Sequence, residues 1–281
     1  MTDIRIDVVL MSLLLAAIFV AGLSTLKPVS ANVASEPASP VAGNQTPEEH
    51  LQMSRAPTTS LEYPGDVTLG AEEVVFDYTT DRCETNDIPD VPARAFRDAD
   101  GNVQLIAGHY VNYRSTSSTL AAVTRDCSAP VLTSHKDPDP QNYDYKEWIH
   151  SVYTEDGSTI YAFVHNEFHG HAATSTVSCP SGDAEDCWYN AITFASSTDK
   201  GKTYTHASSS AHLMASTPYL YTPDQGPMGV FNPSNIIKNA SDGYYYMLVQ
   251  VEAHGAQSVG VCSMRTQTVG DPASWRAWNG T

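Results

Sequence analysis

Residues 187–204, CWYNAITFASSTDKGKTY, decide how this chain is read. The segment NAITFASS has the β-branched, aromatic and small residues of a strand. Ser197, Asp199, Gly201, Thr203 and Tyr204 follow in the pattern S-x-D-x-G-x-T-aromatic, five specified positions in eight. Short polar side chains that bond turn amides, with a glycine free to take angles other residues avoid, make this a tight turn leaving the strand. Its role is a structural staple, not a catalytic group.

Three imperfect copies of one plan surround this turn. Each begins with a short strand ending in an Asp-Gly turn: PARAFRDADG to Gly101, EWIHSVYTEDG to Gly157 and SNIIKNASDG to Gly243. Second strands follow directly as VQLIAGHY, STIYAFVHNE and YYYMLVQVE, and third strands as TLAAVTRD, NAITFASS and VGVCSMRT, with a short fourth element closing each unit. A lead-in strand is expected around Glu72–Thr79. Four antiparallel strands per repeat predict an all-β fold of the β-propeller type, with a β-sandwich as the competing arrangement of the same hairpins. Three blades fall short of the four to eight or so that close a ring, so the chain is expected to be incomplete or to close by association.

The chain has 281 residues and a formal net charge of −17, with a pI near 4.7. Nucleic acid and anionic bilayers would repel it as main partners. Val8–Leu23 is an apolar run followed by Val29-Ser30-Ala31, so residues 1–31 are expected to be a secretory signal or, uncleaved, a membrane anchor. Residues 32–65, rich in Ser, Pro, Ala and Thr, read as a disordered linker, and 66–281 as the partial propeller. The five cysteines fit an exported, secreted or periplasmic protein. Cys179 pairs most naturally with Cys187 and Cys83 with Cys127, leaving Cys262 as a buried thiol within a strand.

The S-x-D-x-G-x-T-aromatic turn resembles the Asp box of sialidases and related β-propellers, which closes the hairpin between the third and fourth strands of a blade. A second resemblance rests on NDIPDVPARAF before the first Asp-Gly, on GYYYML and on DPASW. These look like five-bladed glycoside hydrolases of the arabinanase, xylosidase and fructosidase type, over about Asp81 to Gly280. The resemblance implies hydrolysis of an oligo- or polysaccharide by a carboxylate pair at the mouth of the central channel.

On that reading Asp90, two residues before Pro92, is the base or nucleophile, with Asp87 as the nearest substitute; both are also placed to cap turns around the neighbouring prolines. Glu167 in VHNEFHGH is the acid, with Glu147 as its rival, and Asp144 or Glu147 could modulate the pair. The strand start of the third unit carries Asn235 where the family pattern has a carboxylate. Arg94 is a candidate for binding a hydroxyl-rich ligand, or for an ion pair between blades. Trp148, Trp188 and Tyr189 are candidates for stacking on a sugar face, Asn190 and Asn235 for bonding its hydroxyls, and His165 for setting the protonation of Glu167.

His165, His169 and His171 could chelate a metal if their segment curls, but they lack the His-Glu-x-x-His arrangement and are read as a surface loop; no metal or cofactor is assigned, although the acidic composition leaves room for a structural calcium. No phosphate loop, dinucleotide fingerprint or G-x-S-x-G elbow is present. The competing functions are a non-catalytic carbohydrate- or protein-binding propeller and a sialidase-like enzyme, whose arginine triad would have to begin at Arg94 or Arg114.

Overall fold

The computed structural model describes residues 69–173, 179–207 and 209–279. The expected signal or anchor at 1–31 and the linker at 32–65 lie outside the described residues. Among the described residues no helix is long and apolar enough to cross a membrane.

The protein is nearly all β. Instead of a lead-in strand, residues 72–77 are irregular and Tyr78–Asp81 forms a single helical turn, α1. The Asp77 carboxylate accepts the Thr79 amide and none of the turn is buried, so a local cap prevails where no strand partner exists.

The first unit is an antiparallel sheet. Its strands are β1 (Arg94–Arg97), β2 (Val103–Ile106), β4 (Arg114–Ser117) and β5 (Thr124–Arg125), while β3 (Val111–Asn112) pairs with β6 (Leu132–Thr133). The third strand therefore lies earlier than TLAAVTRD, whose first half is the 3-10 turn Leu120–Ala122 and whose second half is β5. The sequence RSTS of β4 carries no apolar alternation, so nothing in its hydropathy announces it.

The second unit runs β7 (Lys146–Tyr153), β8 (Ile160–His169), β9 (Trp188–Ser197) and β10 (Leu213–Ala215), all antiparallel. The third contains β11 (Met228–Phe231), β12 (Ile237–Lys238), β13 (Tyr245–Val251), β14 (Gly260–Thr266) and β15 (Arg276–Ala277). Both β11 and β12 pair with β13, as one strand interrupted at Asn232-Pro233, with Asn232 at φ 51. Each of the three Asp-Gly segments turns its hairpin.

An unexpected parallel pairing joins the last two units: Met228 lies opposite Tyr189 and Gly229 opposite Asn190, merging them into one nine-stranded sheet. A Cβ on Gly229 would collide with the Asn190 carbonyl oxygen, and its φ is +111, so only glycine admits this approach.

The core lies between successive units. Ile106 of the first unit packs with Ile149, Ile160, Val164 and Tyr204 of the second; Phe163 and Phe194 of the second pack with Met247, Met264 and Trp275 of the third. Strand β8 therefore contributes to both cores, which explains its continuous run of buried residues.

In the turn after β9, Asp199 accepts the amides of Lys202 at 3.1 Å and Thr203 at 3.0 Å and the Thr203 hydroxyl at 2.7 Å, while the Gly201 amide donates to Ser197 Oγ at 2.8 Å. Thr205 then bridges back to Ser196, and Tyr204 enters the core between the first two units. Disulfides join Cys83 to Cys127 and Cys179 to Cys187; Cys262 is free on β14, half-buried rather than buried.

Candidate functional site

Strand β8 carries its last residues past the core to the edge of an open cavity of about 470 Å³. Asp90 lines this cavity from the segment before β1, Trp148 and His150 from β7, His165 and Glu167 from β8, and Trp188 from β9. Phe231 and Asn232 complete it from the break in the inner strand of the third unit. Residues far apart in sequence thus meet because β1 lies against β7 and β11 pairs with β9, next to β8.

Asp90 is anchored by its amide, which donates to the Gly108 carbonyl at 3.2 Å, and its side chain is 54% exposed. Its Oδ2 accepts the Trp148 indole N–H at 3.1 Å, with His109 Nε2 at 3.7 Å. Glu167 is more sheltered, 13% exposed, and its Oε2 pairs with His169 Nε2 at 2.8 Å while Oε1 lies 3.8 Å from His165 Nδ1.

Burial sets the protonation of the surrounding imidazoles. It pushes His150 down to about 4, reinforced by His165 and Arg94, and also lowers His165 and His109, against the raising effects of Glu167 and Asp90 respectively. His150 Nδ1 donates to the Pro233 carbonyl at 2.8 Å, and His165 Nε2 meets Asn190 Oδ1 at 3.0 Å. Trp188 lines the cavity, while its indole N–H is buried without a hydrogen-bond partner.

Several candidates lie elsewhere. Asp87 is fully buried in an ion pair with Arg125, whose Nε is 3.1 Å away, and accepts the Cys83 amide at 3.0 Å, so it ties down the disulfide-linked segment and does not face the cavity. Tyr189 packs in the core with Phe168, Ala191 and Met228, not on the cavity wall. Asn190 is buried behind His165, and Asn235 is exposed away from the cavity, its carbonyl accepting the Ser234 hydroxyl. Arg94 does not line the cavity; burial lowers its pKa and its Nε has no partner. Arg114 pairs with Asp126 at 2.9 Å, so neither arginine begins a triad at this cavity.

Glu147 belongs to a different cluster, with His135, Asp144 and His206. Its carboxylate is completely buried, 3.4 Å from His206 Nε2. Burial pushes the Glu147 carboxyl up, and Glu147 in turn holds the His206 imidazole up, to about 9. Asp144 is in the same cluster, 2.7 Å from His135 Nδ1. Neither acid can modulate the Asp90 cavity by contact.

Sequence reasoning passed over Phe231 and Asn232; the only signal for them was an Asn-Pro dipeptide just before the third unit. His169 was set aside as a loop residue, although the H-N-E-F-H spacing places two histidines beside one glutamate on an alternating strand.

No family model and no curated protein matches this chain. Solved structures similar to it include an endo-1,4-β-xylanase from Bacteroides thetaiotaomicron VPI-5482, at 15% identity and TM-score 0.41, covering 67% of this chain and 53% of that one. A sucrose-6-phosphate hydrolase from Lactobacillus gasseri aligns at 14% identity and TM-score 0.41, covering 66% and 33% respectively. A family 117 glycoside hydrolase from the marine bacterium Zobellia galactanivorans aligns at 11% identity and TM-score 0.47, covering 75% and 60%. The chain thus spans between a third and three fifths of the length of these structures.

Proposed function

We propose that this protein is an exported glycoside hydrolase whose three sheet units are consecutive blades of a five-bladed propeller, with the turn at 197–204 serving as an Asp box. The observation that carries the reading is that Asp90 and Glu167 line one cavity together with Trp148 and Trp188. Two carboxyl groups on one cavity are the minimum equipment for cleaving a glycosidic bond, and the partly exposed Trp188 ring suits a sugar C–H face, whereas Trp148 is buried at 4% exposure and serves to orient Asp90.

In this mechanism Asp90, open to solvent and oriented by the Trp148 N–H, activates water or attacks the anomeric carbon. Glu167, sheltered and bonded to His169, protonates the departing oxygen, with His169 able to resupply the proton. The neutral His165 and His150 add no positive charge that would compete for either carboxylate. The two disulfides suit an oxidising compartment.

The test is hydrolysis of a panel of plant and algal polysaccharides and aryl glycosides by the wild type, Asp90→Asn and Glu167→Gln. Each variant is expected to lose about 10²–10⁴-fold in kcat. Equal turnover by wild type and Asp90→Asn would reject the assignment. A second reading, a non-catalytic saccharide-binding propeller, is favoured by the aromatic and amide contribution of Phe231 and Asn232 from the third unit. It predicts saccharide affinity lost in Trp188→Ala and retained in Asp90→Asn, with no turnover in either.

A further inference from the structure

The cluster away from the cavity has the composition and the unsatisfied polar atoms of a metal-binding site. His135 and Asp144 lie on the connection between β6 and β7, Glu147 is on β7, and His206 follows the 197–204 turn. One ligand atom from each falls within 4.8 Å of the others. Both oxygens of Glu147, Oδ1 of Asp144 and Nε2 of His206 are buried without a hydrogen-bond partner. Glu147 is decisive: its carboxylate is fully buried, neither oxygen is hydrogen-bonded, and the His206 imidazole 3.4 Å away is the only basic side chain paired with it among the described residues, so a bound cation would satisfy oxygens that the protein leaves open.

The ring of His206 is set for coordination. Its Nδ1 donates to the Ala207 carbonyl at 2.8 Å, which fixes the ring with Nε2 facing Glu147 and Asp144, and an ion would bind there in place of the Nε2 proton. A backbone acceptor fixing one ring nitrogen while the other faces the ion is the usual outer arrangement of a metal-binding histidine. A tetrahedral site with bonds of about 2.0–2.1 Å has ligand–ligand edges of about 3.4 Å. The distances from His206 Nε2 to Glu147 Oε2 and Asp144 Oδ1 are 3.4 and 3.7 Å, and the 2.7 Å contact of His135 with Asp144 must open when an ion enters. An open cavity of about 450 Å³ lined by His135 and His206 gives access from solvent, and the His135 side chain is 65% exposed.

We propose that His135, Asp144, Glu147 and His206 bind a divalent cation, zinc in preference to calcium, in a structural site that clips the start of β7 to the turn after β9. Two imidazoles and two carboxylates suit zinc, whereas calcium takes oxygen ligands. The other grouping of potential ligands, Cys179, Cys187 and Asp224, is excluded because its two thiols form a disulfide.

The experiment uses the full chain, stripped with a chelator and titrated with zinc chloride, with calcium chloride as a parallel probe. Bound metal is read by elemental analysis, affinity by calorimetry and Tm by thermal melting. One zinc per chain and a zinc-dependent rise in Tm are expected. His135→Ala removes a mostly exposed ligand and should weaken zinc at least about tenfold without unfolding the protein. Glu147→Gln should abolish the zinc-dependent rise whatever its effect on the stripped protein. No zinc uptake, uptake unchanged in both variants, or saturation by calcium in preference to zinc would each overturn the proposal.

Discussion

The indole N–H of Trp148 donates to Oδ2 of Asp90 across 3.1 Å, joining the inner strand of the second unit to the segment before the first. Hydrogen bonds to charged groups contribute about 1.5–3 kcal/mol. Trp148→Phe keeps the ring but removes the donor, and kcat/KM on the best saccharide substrate is expected to fall by about ten- to a hundredfold with the melting temperature little changed. An unaltered kcat/KM would mean that this bond only packs the wall.

Asp87 and Arg125 form a fully desolvated pair beside the Cys83–Cys127 disulfide. Asp87→Asn leaves the guanidinium buried and uncompensated, so urea unfolding should show a loss of about 3–5 kcal/mol. The double variant Asp87→Asn with Arg125→Met should recover part of it, because the stranded charge is then gone. Neither variant is expected to alter turnover by the folded fraction, since Asp87 does not reach the cavity.

Gly201 adopts φ +81, and a Cβ there would sit 2.7 Å from the Phe96 ring. Gly201→Ala therefore combines a left-handed backbone strain of about 1–3 kcal/mol with a steric push against the first unit. Thermal melting should report a lower Tm, and Phe96→Leu in the same chain should return some of it by making room.

His150 is held at about 4 against an ordinary 6.5 because burial penalises its charged form. The unfolded chain then binds more protons than the folded one between those values, so stability is complete above about 6.5 and falls as pH drops toward 4. The expected loss is about 3 kcal/mol over that window. Comparing urea midpoints at about pH 7 and pH 4.5, His150→Gln should show a shallower decline than the wild type. Identical declines would assign the acid sensitivity to other groups.

The hairpins, the strand before the 197–204 turn and the Cys179–Cys187 pair were readable along the chain because each depends on neighbours close in sequence. Asp-Gly and S-x-D-x-G spellings specify local hydrogen bonds. Strand β4 escaped notice because RSTS has no alternation, and β11 because its pairing with β9 is parallel and long-range. Asp90 stood out through the family resemblance, two residues before Pro92, and Glu167 through its place at the end of a second strand; both line one cavity. Asp87 was the nearest substitute for the one and Glu147 the rival of the other.

What separated them was burial and partnership. Local chain chemistry settled that this protein would be a series of antiparallel β units with tight polar turns. Only the packing of those units against one another decided that Asp87 would be neutralised by Arg125, that Glu147 would join His135, Asp144 and His206, and that Asp90 would stay open beside Trp148. A carboxylate's role depends on the charges and solvent around it, and these come from strands tens of residues away, which no local pattern encodes.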